Sequence, residues 1–233
     1  MKASGSGIWK GQPSWKRRDG VPARRAKLAS EVVKRLRREF PRAQTSLTHD
    51  DPFQLLIATI LSAQCTDERV NKVVPGLFRK YPGPEKLARA GIRDIERIIR
   101  STGFYHAKAK NIRGCSAAIV REHGGKVPGN IDELVNLPGV GRKTANVVLG
   151  SAFGIASGVV VDTHVKRLAA RLGLTRNGDP VKIEADLVRI VPKEDWIVFS
   201  HLLIWHGRKT CKARNPDCPC CVLCDICPAA GRA

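Results

Sequence analysis

Residues 137–145 read Leu-Pro-Gly-Val-Gly-Arg-Lys-Thr-Ala and stand directly before an apolar run with the period of a helix. A Pro-Gly-x-Gly turn that enters a helix directs several backbone N–H groups and the positive end of the helix dipole toward one place. Gly139 and Gly141 have no Cβ, so another group can approach the backbone closely there. The segment therefore predicts an anion site, most simply for a phosphate, with Lys143 in the first turn of the following helix.

A carboxylate follows this segment at the start of another predicted helix. Asp162 stands where the β-branched run Val159-Val160-Val161 ends. A phosphate cradle, a lysine and a carboxylate together indicate chemistry on the sugar of a nucleic acid. Simpler interpretations stay open for each residue, since Lys143 could only contact a phosphate and Asp162 could only cap the next helix.

Six of the eight cysteines lie between Cys211 and Cys227. Met1–Gly20 contains no apolar segment typical of a secretory signal, so we expect a reducing compartment and metal binding rather than disulfides. The pattern C-x6-C-x2-C-x5-C is formed by Cys211, Cys218, Cys221 and Cys227. Four such thiolates can surround one iron–sulfur cubane, and they also suit tetrahedral Zn²⁺. Two further cysteines, Cys220 and Cys224, could substitute as ligands.

The formal net charge is +20, with 41 Lys and Arg against 21 Asp and Glu. Such a balance favours a polyanionic partner over an uncharged one. The longest apolar runs are shorter than the ~20 residues that a membrane span needs, so we expect no membrane partner. The charge is therefore consistent with binding to a nucleic acid.

Composition and periodicity predict an all-α protein, because strand signals are few and Gly and Pro fall mainly between periodic runs. Predicted helices include 24–40, one that begins at Pro52 behind an Asp51 cap, and two flanking the glycine turn at 130–137 and 142–153. Residues 1–23, rich in Lys, Arg, Gly and Ser, predict a disordered basic arm.

The glycine turn, the Val161-Asp162-Thr163-His164 stretch and the cysteine pattern occur together, and in this order, in the endonuclease III family of DNA glycosylases. The chain resembles this family from Ala26 to Pro228. The resemblance implies a two-lobed helix-hairpin-helix fold. One lobe would be a helical bundle, residues 48–160, and the other would combine residues 24–47 with 161–233, including a [4Fe–4S] cluster loop at 211–227. The cluster ligands would be Cys211, Cys218, Cys221 and Cys227.

The resemblance also implies roles for individual residues. Lys143 would be the nucleophile, with Asp162 as its activator and charge partner. Gln64 would fill the gap left by an extruded base, and Phe104, where relatives often carry leucine, would wedge between bases of the opposite strand. The simpler alternatives are a helix-end amide and a core phenylalanine. Contacts of the hairpin with DNA would come from Leu137, Gly139, Val140, Gly141 and Lys143.

The implied activity is bifunctional: removal of oxidised pyrimidines from duplex DNA, followed by strand cleavage at the abasic site. The expected partner is double-stranded DNA containing damaged bases or abasic sites, bound by a monomer. Relatives that act on mismatched adenine or thymine typically lack the lysine, so Lys143 disfavours that alternative. A non-catalytic DNA-binding iron–sulfur protein is the second alternative. We expect a cytoplasmic enzyme, with organellar targeting by the basic arm left open.

Overall fold

The computed structural model describes residues 23–232, which form eleven α-helices and, within that range, no β-strand. The all-α prediction is therefore confirmed. The predicted basic arm lies outside the described residues, except for Ala23, which begins the first helix. The helices are α1 (Ala23–Glu39), α2 (Pro52–Leu61), α3 (Asp67–Lys80), α4 (Pro84–Ala88), α5 (Ile92–Ile99), α6 (Tyr105–His123), α7 (Ile131–Leu134), α8 (Arg142–Phe153), α9 (Thr163–Arg171), α10 (Pro180–Ile190) and α11 (Trp196–Lys209).

Several helices begin where a short polar side chain caps the first turn. The Asp51 carboxylate accepts a hydrogen bond of 2.8 Å from the Gln54 N–H, ahead of Pro52. Asn130 caps α7 and Asp179 caps α10 in the same way. These side chains satisfy backbone N–H groups that have no partner inside the helix, which fixes where each helix starts.

The first helix of the hairpin is shorter than predicted. It was expected to cover 130–137, but α7 ends at Leu134. The ring of Pro138 disfavours a helical conformation for Leu137, the residue before it. The Leu137 N–H instead bonds to the Leu134 carbonyl at 3.1 Å, in a tighter turn. The second hairpin helix, α8, has the predicted bounds.

The apolar core consists of two clusters. One contains buried residues between Leu47 and Leu149, with most of α2 at its centre and α8 packed on α2. The other joins α1 to residues between Val159 and Leu223. In residues 23–232, no helix has both the length and the apolar character needed to cross a bilayer. Lys143 therefore stands on a helix of the first cluster, and Asp162 stands at the start of a helix of the second.

Candidate active site and cysteine loop

A cavity of about 240 Å³ lies where the two apolar clusters meet. Its walls come from the loops on either side of α2, from α8, from the segment that leads into α9 and from α11. Three of the residues singled out from sequence line it together: Gln64, Lys143 and Asp162. These residues are brought together by packing of helices that are distant in the chain.

Lys143 is solvent-exposed in the first turn of α8. Two neighbouring arginines are paired with carboxylates, Arg142 with Glu184 and Arg208 with Asp67. Among the described residues, the Lys143 amine belongs to no such ion pair. Its nitrogen is therefore available to a molecule that enters the cavity.

Asp162 caps α9 and also lines the cavity. One carboxylate oxygen, Oδ1, accepts a hydrogen bond of 2.8 Å from the Val165 N–H. This bond holds the half-buried side chain at the positive end of α9, where a carboxylate is stabilised. Burial lowers the pKa of the nearby His164, and the Asp162 carboxylate opposes that shift. Capping and presentation to the cavity are thus compatible in this side chain.

The two glycines of the hairpin are required for different reasons. Gly139 has a φ of +78°, and a Cβ there would lie 2.8 Å from the Asn111 Cβ. Gly141 has an ordinary φ of −91°, and a Cβ there would point into open space. Leu137 and Val140 are buried, and the Val140 N–H bonds to the Leu137 carbonyl at 3.1 Å. Leu137 and Val140 therefore anchor the hairpin ahead of the first turn of α8, whose N–H groups have no partner inside the helix.

Gln64 and Phe104 share an unusual backbone conformation. Their φ angles are +52° and +47°, and Asn215 is the one other non-glycine residue in 23–232 with a positive φ. Both side chains are exposed, and that of Phe104 is 67% exposed. Such left-handed residues cost free energy and cluster at functional sites. Phe104 is therefore not a core side chain, which removes the simpler of its two interpretations.

Sequence reasoning missed a buried polar network beside Lys143. The Glu184 carboxylate accepts hydrogen bonds from Arg142 Nε at 3.1 Å and from Asn146 Nδ2 at 3.1 Å. Ser157 donates a further bond of 2.8 Å to Asn146 Oδ1. A Cβ at Gly158 would lie 2.1 Å from Glu184 Oε1. Arg142 and Asn146 are four residues apart on α8, but nothing in the sequence predicts that Glu184 from α10 would join them.

The cysteine loop encloses a separate, small cavity beside α9 and α11. Five thiols line it, those of Cys211, Cys218, Cys221, Cys224 and Cys227, whereas Cys220 is exposed and does not. Burial and, to a smaller extent, the charges of the other three thiols of the predicted set raise the pKa of Cys221 to about 11.

A basic side chain lies beside these thiols. Arg171 Nη1 lies 3.3 Å from Cys211 Sγ, so it can donate a hydrogen bond to the sulfur. In the described part of the chain, no three His, Cys, Asp or Glu side chains are grouped so as to hold a single metal ion. A tetrahedral Zn²⁺ site would need sulfurs about 2.3 Å from one centre.

Known proteins resemble this chain over most of its length. A family model described as HhH-GPD superfamily base excision DNA repair protein matches residues 57–193. Endonuclease III of Synechocystis sp. is 55% identical over 202 residues, which cover 87% of this chain and 92% of the relative. The chain belongs to the endonuclease III family. Another member, endonuclease III of Bacillus subtilis, is 50% identical over 189 residues, which cover 81% of this chain and 86% of that relative.

Solved structures of the endonuclease III family share the fold. One shows a trapped endonuclease III–DNA covalent intermediate in an estranged-adenine complex. It has a TM-score of 0.83 and 43% identity, covering 88% of this chain and 96% of that chain. A non-covalent endonuclease III–DNA complex gives a TM-score of 0.84 at the same identity. The resemblance stated from sequence is confirmed, and the helix-hairpin-helix fold with it.

Proposed function

We propose that this chain is a bifunctional base-excision repair enzyme, a DNA glycosylase with AP lyase activity on double-stranded DNA. The observation that supports it most is the shared cavity of Lys143 and Asp162, because the chemistry needs an amine and a carboxylate on either side of one sugar. Relatives named endonuclease III, and a neighbour trapped as a covalent DNA intermediate, support the same activity.

Lys143 would act as the nucleophile. Its amine attacks the deoxyribose C1′, the bond from C1′ to the base breaks, and the base leaves with that electron pair and takes up a proton. The negative charge of Asp162 stabilises the positive character that develops on the sugar ring, as carboxylates do in other glycoside cleavages. Attack needs the uncharged form of the amine.

Strand cleavage follows from the covalent intermediate. Ring opening of the sugar gives a Schiff base between Lys143 and C1′. The imine acidifies the proton on C2′, a base removes that proton, and the 3′ phosphate leaves as the C2′–C3′ double bond forms. Water then hydrolyses the imine and restores the amine. Asp162, which lines the same cavity, would transfer protons in these steps.

Gln64 and Phe104 would offset the cost of extruding the damaged nucleotide. Turning a base out of the stack costs a few kcal/mol, and bending the duplex adds roughly 1–6 kcal/mol. Both side chains are exposed on left-handed turns, so each can enter a vacated place in the stack. The backbone N–H groups of Gly139 and Gly141 would hold a phosphate of the bent strand.

The cysteine loop would hold a [4Fe–4S] cluster through Cys211, Cys218, Cys221 and Cys227. Their C-x6-C-x2-C-x5-C spacing and the one cavity that all four thiols line support this ligand set. The bound cluster would be structural, with no part in base removal. Quantitative analysis should give about four irons and four inorganic sulfides per chain, whereas one zinc per chain would contradict the assignment.

Borohydride trapping on a duplex with one abasic site tests the proposed lyase. The wild-type chain should give a covalent adduct, because borohydride reduces the Schiff base to a stable amine. Lys143→Ala should give none. Lys166→Ala, at an exposed position on α9, is the matched control and should trap normally. A wild-type chain that binds the duplex without trapping would instead indicate a non-catalytic DNA-binding protein.

The proposed substrates are oxidised or ring-fragmented pyrimidines in duplex DNA. We also propose that the enzyme is a monomer. A panel of duplexes, each with one oxidised pyrimidine or one mismatch, would test the proposed substrates by the base that is set free. Release from mismatched adenine or thymine alone would assign the chain to the mismatch-specific glycosylases. Gel filtration of the complex with one duplex would test the monomeric state.

A further inference from the structure

Lys108 is the one lysine in residues 23–232 that is buried, with 4% of its surface exposed. It lies in the first turn of α6, and burial lowers its pKa. Its Nζ donates a hydrogen bond of 2.7 Å to the backbone carbonyl of Thr102. No step of the chemistry proposed above uses this side chain.

The bond from Lys108 closes the turn that carries Phe104. Thr102 ends a short 3-10 helix, and Gly103 and Phe104 follow with φ angles of +70° and +47°. The Lys108 N–H also bonds to the Phe104 carbonyl at 3.0 Å. The Lys108 side chain thus bonds to the start of the turn at Thr102, while its backbone bonds to the end of the turn at Phe104. A phenylalanine in the left-handed region is strained, so it persists only where its surroundings hold it.

Stability does not explain why a lysine occupies this position. An ammonium group loses strong hydration on burial, and a single carbonyl acceptor replaces only part of it. An apolar side chain of similar length would fill the space without that cost. Buried polar groups of this kind are retained in some proteins because they specify one conformation.

We propose that Lys108 is a positioning residue that holds the Phe104 turn in the shape that enters a duplex. This inference rests on the proposed function, because it concerns the extrusion step that precedes attack by Lys143. It predicts that loss of the amine impairs work on paired DNA and leaves the chemistry on unpaired DNA intact.

The test compares Lys108→Met with the wild-type chain on an abasic site in a duplex and in a single strand. Methionine keeps the length of the side chain and removes the ammonium. We expect the trapping rate to fall about tenfold on the duplex and to stay within about twofold on the single strand, which needs no extrusion. The urea midpoint should stay unchanged or rise, since a buried charge is removed.

Lys110→Met, at an exposed position of the same helix, is the matched control. This variant should trap on the duplex and on the single strand at the wild-type rates. Lys108→Gln keeps a donor for the Thr102 carbonyl and should restore part of the duplex rate; it also serves if the methionine variant fails to fold. If Lys108 acts through Phe104, the double variant Lys108→Met with Phe104→Ala should trap on the duplex at the same rate as Phe104→Ala alone.

Equal losses on both substrates, additive effects with Phe104→Ala, or normal duplex rates would each overturn the inference. These results differ from failure of the proposed function. A wild-type chain that traps on neither substrate would refute the lyase activity, whereas normal trapping by wild type and Lys108→Met alike would refute only the role of Lys108.

Discussion

Asp162 illustrates how one side chain can serve structure and chemistry together. Its Oδ1 caps α9, while the carboxylate as a whole lines the cavity with Lys143. The two roles differ in what they require. A cap needs only a short side chain with an accepting oxygen, whereas stabilisation of a cationic sugar needs a negative charge.

Asp162→Asn should separate these roles. Asparagine caps as well as aspartate, so the free energy of unfolding should change by less than about 0.5 kcal/mol. On a duplex that still carries an oxidised pyrimidine, the trapping rate should fall about 100-fold or more, because the charge that stabilises the cationic sugar is lost. Asp162→Ala should show the same catalytic loss together with about 1 kcal/mol of destabilisation. Urea unfolding and single-turnover trapping measure both, and an active asparagine variant would contradict the proposed role.

Substitutions at the two hairpin glycines should distinguish a role in stability from a role in DNA binding. Gly139→Ala should destabilise the protein by about 1–3 kcal/mol, because alanine is strained at a φ of +78° and its Cβ would meet Asn111. Gly141→Ala should cost less than about 1 kcal/mol, since its Cβ meets open space. It should nevertheless weaken binding to an abasic-site duplex, because the added methyl stands where a phosphate would approach. Thermal unfolding would measure the stability of the two variants, and fluorescence anisotropy would measure DNA binding by Gly141→Ala. Unchanged binding by Gly141→Ala would contradict the proposed phosphate site.

Helix α8 is the element on which the active site depends. It carries Lys143 in its first turn, packs on α2 within one apolar cluster, and joins the other cluster through Arg142, Asn146 and Glu184. The bond that crosses between clusters involves a buried carboxylate, so it fixes the position of α8 more firmly than an exposed pair would. The placement of Lys143 relative to Asp162 should depend on it.

Glu184→Gln should reduce the trapping rate more than it reduces stability. Arg142 is more than half exposed, so loss of its ion pair should cost only about 1 kcal/mol after screening by solvent. A small displacement of α8 would still misplace the Lys143 amine, and misplacement by about 1 Å can slow a reaction 100-fold. Glu194→Gln, at an exposed glutamate, is the control. Unchanged trapping by Glu184→Gln would show that α8 is held by apolar packing alone.

Across the whole molecule, the net charge of +20 predicts steep dependence of DNA binding on salt. Each phosphate that a Lys or Arg neutralises adds about −0.9 to the slope of log K against log salt. We expect a slope of about −3 or steeper for an undamaged duplex, measured by anisotropy between 50 and 200 mM salt. The slope for an abasic-site duplex should be similar, with the gain in affinity independent of salt. A flat salt dependence would contradict a binding surface made of phosphate contacts.

Much of the site was predictable because its signals are local. A glycine turn before a helix, a capping aspartate and closely spaced cysteines depend on neighbours along the chain. The early end of α7 was missed, although Pro138 provided a local reason for it. Family resemblance, rather than local pattern, pointed to Gln64 and Phe104, and the structure adds that both occupy left-handed turns.

The sequence alone specified an all-α chain, its capped helices, its hairpin and its basic charge, because backbone preference, capping and composition act over a few residues. Tertiary packing alone decided that Lys143 and Asp162 line one cavity and that Glu184 reaches Arg142 and Asn146. In each case, the packing of helices brings together side chains that are far apart in the chain. Such contacts follow from how whole helices pack, which no short window of sequence contains.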